Sequence, residues 1–198
     1  MKIFFDDFFS CIRLKKGYFI VIILASIIAI TLAIFASINF SSGFLTIDLS
    51  NISYIKFLKG DTGMMSMIFS NICSLLIFFA LIWICHAKPF LIPLGVIFYL
   101  YLVYSQAVIL ISLIMIYGFF NCIILAMLLL IYFVLIWFLF ILSMLQMLCC
   151  DRSPYFFRSC CNVYRCKMLI TLSLILLFTI LFSFVITILK NFIILLVY

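Results

Sequence analysis

Five long apolar stretches fill most of this 198-residue chain, and they limit its possible folds more than any other feature. Hydrophobic residues make up 71% of the sequence and charged residues only 9%, whereas a water-soluble domain carries roughly 25% charged residues. A helix that crosses a bilayer needs about 20 predominantly apolar residues. The sequence therefore predicts an all-α, polytopic membrane helix bundle with about five transmembrane helices, at 18–39, 67–85, 90–116, 119–148 and 168–189.

The chain divides into a short arm and one membrane domain. Residues 1–17 are predicted to form an amphipathic cytoplasmic arm, because phenylalanines recur in it at helical spacing. Residues 18–198 form a single five-span domain, since the linkers are too short to hold a folded soluble domain. The first apolar run, of about 22 residues, exceeds the core of a signal peptide and predicts an uncleaved anchor.

Basic residues are distributed unevenly around the spans, and this bias predicts the orientation of the chain. Lys and Arg close to spans tend to stay on the cytoplasmic side. With five crossings, three basic residues fall on the far side of the membrane and nine on the side of the N-terminus. The nine are Lys2, Arg13, Lys15, Lys16, Lys88, Arg152, Arg158, Arg165 and Lys167. We therefore expect a multi-pass protein of the cell membrane with its N-terminus inside and its C-terminus outside.

Two basic segments on the predicted inner side are candidates for contact with the lipid bilayer. In the predicted loop Cys149–Lys167, aromatic residues alternate with basic ones, which is typical of the headgroup interface. The candidate inner-leaflet lipid contacts are Arg13, Lys15, Lys16, Arg152, Arg158, Arg165 and Lys167. Because these residues flank spans instead of forming a stripe on a soluble face, the sequence predicts no nucleic-acid partner.

The longest predicted outside segment, Ser41–Ser66, is the candidate surface for a partner protein. Glycines mark turns in it, and apolar residues alternate with charged ones between those turns. The candidate outside partner surface consists of Asp48, Tyr54, Lys56, Lys59 and Asp61. The other interpretation of this segment is a short helix that rests on the membrane interface.

No cluster in the sequence is typical of catalysis, of a cofactor or of a bound metal. The chain has no Glu and one His, and the adjacent cysteine pairs within Cys149–Cys166 lack the spacing of a zinc site. Reduced thiols are the interpretation we favour for those cysteines, and acylation stays open. His86, in the predicted turn Cys85–Pro89, is expected to face solvent. The sequence thus predicts no catalytic, cofactor-binding or metal-binding residues.

The polar residues inside the predicted spans are all neutral. Ion-coupled carriers normally place ionisable groups in the middle of the membrane, so this composition disfavours a secondary transporter. The candidate helix-packing residues are Gln106, Gly118 and Asn121. The two amides are expected to bond between helices, and the glycine lies in the tight turn between the third and fourth spans.

The order of the spans resembles that of a known family. The segments that carry the resemblance are the asparagine-led span Asn71–Trp83, the turn Lys88–Leu94 with its two prolines, and the hairpin Tyr117–Asn121. In topology and hydropathy order, the chain resembles the stage II sporulation protein M family, whose members have five spans. The resemblance implies a non-enzymatic scaffold or localisation factor that holds peptidoglycan-degrading partners at the membrane during sporulation.

Two other functions stay open. A permease subunit of a multi-component, ATP-driven transporter would need no charges in its spans, because a separate ATPase supplies the energy. A small intramembrane enzyme would need acid, base or metal groups that the sequence does not offer. The expected partners are the lipid bilayer and other membrane or cell-wall-associated proteins, with peptidoglycan hydrolases implied by the resemblance.

Overall fold

The fold is a bundle of five long helices. The computed structural model describes residues 12–39, 53, 56–57, 60–87, 89–117, 119–149 and 157–197, and it describes side chains for most of them. The helices are α1 Lys16–Asn39, α2 Met64–Ala87, α3 Ile92–Tyr117, α4 Phe119–Cys149 and α5 Phe157–Val197. A 3-10 turn, Pro89–Leu91, precedes α3, and the described part of the chain contains no strand. The predicted all-α class is confirmed.

All five helices are long and apolar enough to cross a bilayer. The candidate spans are Lys16–Ile38, Met64–His86, Ile92–Met115, Ile123–Leu148 and Lys167–Ile188. These spans agree with the predicted ones. The hydrocarbon thickness sets the length of an apolar spanning helix, so such helices can be predicted from the length of apolar runs in the sequence. Pro93 lies in the first turn of α3, where its missing N–H group leaves no hydrogen bond unmade.

The last helix is longer than the sequence predicts. The sequence predicts a loop up to Lys167, but α5 already begins at Phe157 and runs for 41 residues. After Pro154 the sequence contains no Gly or Pro that would end a helix. At about 1.5 Å per residue, α5 is roughly 60 Å long, twice the thickness of the hydrocarbon. It must therefore tilt or extend beyond the bilayer.

The helices α3 and α4 form the middle of the bundle. Helix α3 contacts α1, α2 and α4, whereas α5 packs against α4 and α2. Small side chains face each other where α1 meets α3, since Ala33 packs with Ala107 and both are buried. Alanines at such a contact let two helix backbones approach closely without a gap.

Contacts near the helix ends show that α1, α2 and α3 alternate in direction. Tyr18, near the start of α1, bonds to His86, near the end of α2. Gly95, near the start of α3, lies against the same histidine. We call this end of the bundle, which also carries Lys16, the basic end. Lys56 and Asp61 precede α2 and belong to the opposite end.

The orientation of the basic end is a testable prediction. We expect Leu14→Cys, at a side chain that is 74% exposed, to face the cytoplasm, and Asp61→Cys to face outward. In a variant without other cysteines, a membrane-impermeant maleimide added to intact cells should label the second site alone. Labelling of the first site in intact cells would reverse the topology, and permeabilised cells, in which both sites react, are the control.

Candidate functional site

The candidate outside partner surface lies partly within the described residues. Asp61 is exposed and Lys56 is half-buried, whereas Asp48, Tyr54 and Lys59 lie outside the described residues. The backbone N–H of Asp61 donates to the carbonyl of Lys56 over 2.9 Å, which brings the two residues together. Gly60 stands between them with φ +88°, a backbone conformation that favours glycine.

The same segment is anchored to the helices. Phe57 is 5% exposed and belongs to the hydrophobic core of the bundle. Ser53 Oγ donates to Oδ1 of Asn71 in α2 over 2.6 Å. The described part of the segment therefore packs against the bundle and holds Asp61 on a fixed support.

The basic residues predicted to contact lipid lie, where described, close to the first residue of a candidate span. Arg13, Lys15 and Lys16 are exposed next to the start of α1, and Lys167 is half-buried on α5. The side chains of Arg152, Arg158 and Arg165 lie outside the described residues, as do residues 1–11 of the predicted arm. The contact of these cations with lipid headgroups stays a prediction from the sequence.

Of the three candidate helix-packing residues, Gln106 is the one with a described side chain. It is buried on α3, and its Oε1 accepts a hydrogen bond from the indole N–H of Trp137 on α4. Because an indole can only donate, this bond fixes which end of the amide is the oxygen. Gly118 and the side chain of Asn121 lie outside the described residues.

Neutral polar side chains join the helices in pairs throughout the bundle. Among the residues of these pairs, the sequence predicts an interhelical bond for Gln106 alone, and it does not indicate its partner. The pairs are Tyr18 with His86 (2.8 Å), Ser26 with Tyr99 (3.3 Å), Gln106 with Trp137, Tyr132 with Thr179 (3.2 Å) and Gln146 with Thr171 (3.3 Å). Each such bond within a membrane stabilises helix association by about 1 kcal/mol. Together they fix the rotation of each helix against its neighbour.

His86 is buried, so the prediction that it faces solvent is wrong. Helix α2 continues to Ala87, and the imidazole is only 2% exposed. Its Nδ1 lies 2.9 Å from the carbonyl oxygen of Ile82, which can only accept. The neutral ring therefore carries its hydrogen on Nδ1, and its Nε2 accepts from the hydroxyl of Tyr18. With both nitrogens bonded, His86 braces α1 against α2.

A polar cavity of about 290 Å³ lies between α2, α3 and α4. Its wall combines apolar side chains with hydroxyl and amide groups, and Ser53 of the preceding segment closes part of it. The polar members of the wall are Ser53, Ser70, Asn71, Ser74, Ser105, Gln106 and Tyr132. Ser70 and Ser74 are exposed, so the cavity opens beside α2. The sequence offers these polar residues in the spans, but nothing in it indicates that they face one another.

The described side chains offer no metal site, because no three His, Cys or Asp residues among them lie together. Cys73 and Cys85 are free thiols in α2. The cysteine side chains of Cys149–Cys166 lie outside the described residues.

Comparisons of the chain with protein-family models, with curated proteins and with solved structures found no match in any of the three. The resemblance to the stage II sporulation protein M family therefore stays a prediction from the sequence. The five apolar helices indicate an integral membrane protein.

Proposed function

We propose that this integral membrane protein is a non-enzymatic scaffold or localisation factor, which holds other membrane or cell-wall-associated proteins at the cell membrane. The observation that carries the proposal is the pairing of neutral polar groups between helices. Gln106, Tyr132 and Gln146 each bond to a neighbouring helix. Such bonds hold the spans in fixed positions, and a constant arrangement of spans is what a scaffold needs to present one surface to a partner.

The anchored segment before α2 supplies that surface in the proposal. Phe57 is buried among core side chains, while Asp61 a few residues later is exposed. A charged residue on a fixed support loses little conformational freedom when a partner binds, which favours affinity. If the basic end faces the cytoplasm, this surface lies outside, on the side where peptidoglycan-degrading partners of a sporulation scaffold would be.

The test is an affinity purification after crosslinking in native cells, with the co-purifying proteins identified by mass spectrometry. We expect cell-wall hydrolases or their membrane anchors with the natural chain. The charge-reversing variant Asp61→Lys should reduce their recovery severalfold, because a mispaired rim charge weakens encounter with a partner.

The matched control reverses an exposed charge at the other end of the bundle. Lys15→Asp should leave recovery of the same partners unchanged, since it lies at the basic end. Equal recovery with Asp61→Lys and Lys15→Asp would argue against this surface. Recovery of no cell-wall protein from the natural chain would argue against the scaffold itself.

The alternative is a permease subunit of an ATP-driven transporter, and the polar cavity between α2, α3 and α4 is the observation that favours it. A cavity inside the membrane with neutral polar groups is a suitable place for a passing solute. The same purification separates the two functions, because a permease subunit should bring down a nucleotide-binding ATPase in place of cell-wall proteins.

A further inference from the structure

The polar cavity between α2, α3 and α4 contains an amide group that lacks a protein partner. Asn71 Nδ2 is fully shielded from solvent, and among the described residues no atom accepts a hydrogen bond from it. The amide oxygen, Oδ1 of Asn71, accepts a hydrogen bond from Ser53 Oγ over 2.6 Å. A hydroxyl can donate or accept, so rotating the amide would merely leave its oxygen without a partner instead. A shielded amide without a partner is unfavourable, and a ligand atom that accepts its hydrogen would remove that cost.

A second amide in the same wall has hydrogen-bonding capacity left. The indole of Trp137 occupies Oε1 of Gln106, which leaves the Nε2 amino group of that residue to donate elsewhere. Gln106 lines the cavity together with Asn71. Two amide groups in one wall favour a ligand that presents carbonyl or hydroxyl oxygens, because those atoms accept hydrogen bonds from amino groups.

The rest of the wall determines the charge and the size of the ligand. The spans that form the cavity contain no Asp, Lys or Arg, so a charged ligand would find no countercharge at this depth. Leu75, Phe78, Leu102, Ile109 and Phe133 complete the wall with apolar surface. Pockets for drug-sized molecules start at about 300 Å³, so a volume of about 290 Å³ accommodates a smaller molecule.

We propose that this cavity binds a small uncharged molecule, or the uncharged part of a lipid, in which carbonyl or hydroxyl oxygens adjoin an apolar group. Its polar part accepts from the amino group of Gln106 and, once the Asn71 side chain turns toward the cavity, from Nδ2 of Asn71. Its apolar part contacts Phe78 and Phe133. The opening beside Ser70 and Ser74 faces the surroundings of α2, which gives an amphiphile a direct path from the bilayer. The inference is independent of the scaffold proposal, because a scaffold can bind a lipid and a permease subunit can bind a solute.

Trp137 provides a readout of the cavity through its hydrogen bond to Gln106. The chain has two tryptophans, Trp83 and Trp137, and Trp83 is 46% exposed on α2. In Trp83→Phe, the remaining indole is bonded to an amide in the cavity wall, so ligand binding should change its emission. The experiment titrates this variant in lipid nanodiscs with octanoylglycerol, with free glycerol and with decane.

We expect a saturable change with octanoylglycerol, which would assign a lipid source, or with free glycerol, which would assign a water-soluble source. In addition, Asn71→Leu should weaken that binding about tenfold, which corresponds to about 1.4 kcal/mol. Thr31 is an exposed polar side chain on α1. The matched control, Thr31→Leu, should leave the affinity for the probe unchanged. An equal response to decane, or no response to either oxygen-bearing probe, would overturn the proposal.

A second variant covers the case in which Asn71→Leu does not fold. Ser74→Phe starts from an exposed position, so it can fill the opening with little change to the packing of the helices. It should abolish the response to the probe while the protein remains monodisperse and helical. A response that survives in Ser74→Phe would show that the probe binds elsewhere on the protein and would contradict the proposal.

Discussion

The variant Gly95→Ala is expected to destabilise the bundle by about 2 kcal/mol, within the range for overpacked sites. A Cβ atom at this position would lie 2.5 Å from Cε1 and 2.6 Å from Nδ1 of His86, and 3.0 Å from Cβ of Cys85. Non-bonded carbon atoms prefer separations of about 3.5–4.0 Å. The imidazole would therefore have to move, although its bonds to Tyr18 and Ile82 hold it in place. This cost exceeds the gain of about 1 kcal/mol that alanine brings to a helix.

The measurement is the free energy of unfolding in bicelles, and the double variant identifies the cause. His86→Ala removes the obstructing ring, so adding Gly95→Ala in that background should cost less than half as much. Gly17→Ala is the matched control, because nothing lies within 4 Å of a Cβ at that helical position. If Gly95→Ala costs the same with and without His86, the close contact does not limit the packing of α3.

The spans could be predicted from the sequence, but the way they face one another could not. The bilayer fixes the length and hydropathy of each span, and those two properties located α3 and α4 to within two residues. Each span is apolar on all of its sides, so its hydropathy does not indicate which side faces the neighbouring helices. The neighbours of Gln106 therefore became visible only in the folded bundle.

His86 illustrates how a partner distant in sequence can overrule a local pattern. Beside Lys88 and Pro89, a histidine at the end of an apolar run resembles a turn residue in solvent. Burial of an imidazole becomes acceptable when both of its nitrogens are bonded, and Tyr18 supplies one of those bonds from another helix. Gly95 was the available signal, since a glycine inside an apolar helix often marks a close approach.

The sequence indicates some of the polar residues of the candidate cavity but not the cavity itself. Asn71, Ser105 and Gln106 stand out there as polar residues within apolar spans. Their meeting depends on the relative rotation of α2 and α3, and the contribution of Ser53 depends on the path of the segment before α2. Neither property leaves a periodic pattern in the sequence.

We expect Phe140→Ala to lower the free energy of unfolding by about 2–3 kcal/mol. The ring of Phe140 is 0% exposed at the centre of the bundle and meets the ring of Phe79 edge-on, with centroids 6.0 Å apart. Such truncations cost about 3–5 kcal/mol in water-soluble cores. In a membrane, both the folded and the unfolded state are solvated by lipid, so burying the ring gives no gain from leaving water. The expected cost therefore comes only from the lost contacts and from the cavity that the ring leaves.

The matched control for this prediction is Phe69→Ala on α2, whose side chain is 70% exposed. Lipid chains can fill the space left by an exposed ring, so this change should cost less than about 0.5 kcal/mol. Unfolding of both variants in bicelles gives the comparison. Equal losses would mean that Phe140 is no better packed than a lipid-facing residue. A smaller effect of Phe140→Ala once Phe79→Ala is present would assign part of the loss to their ring contact, because coupled neighbours are not additive.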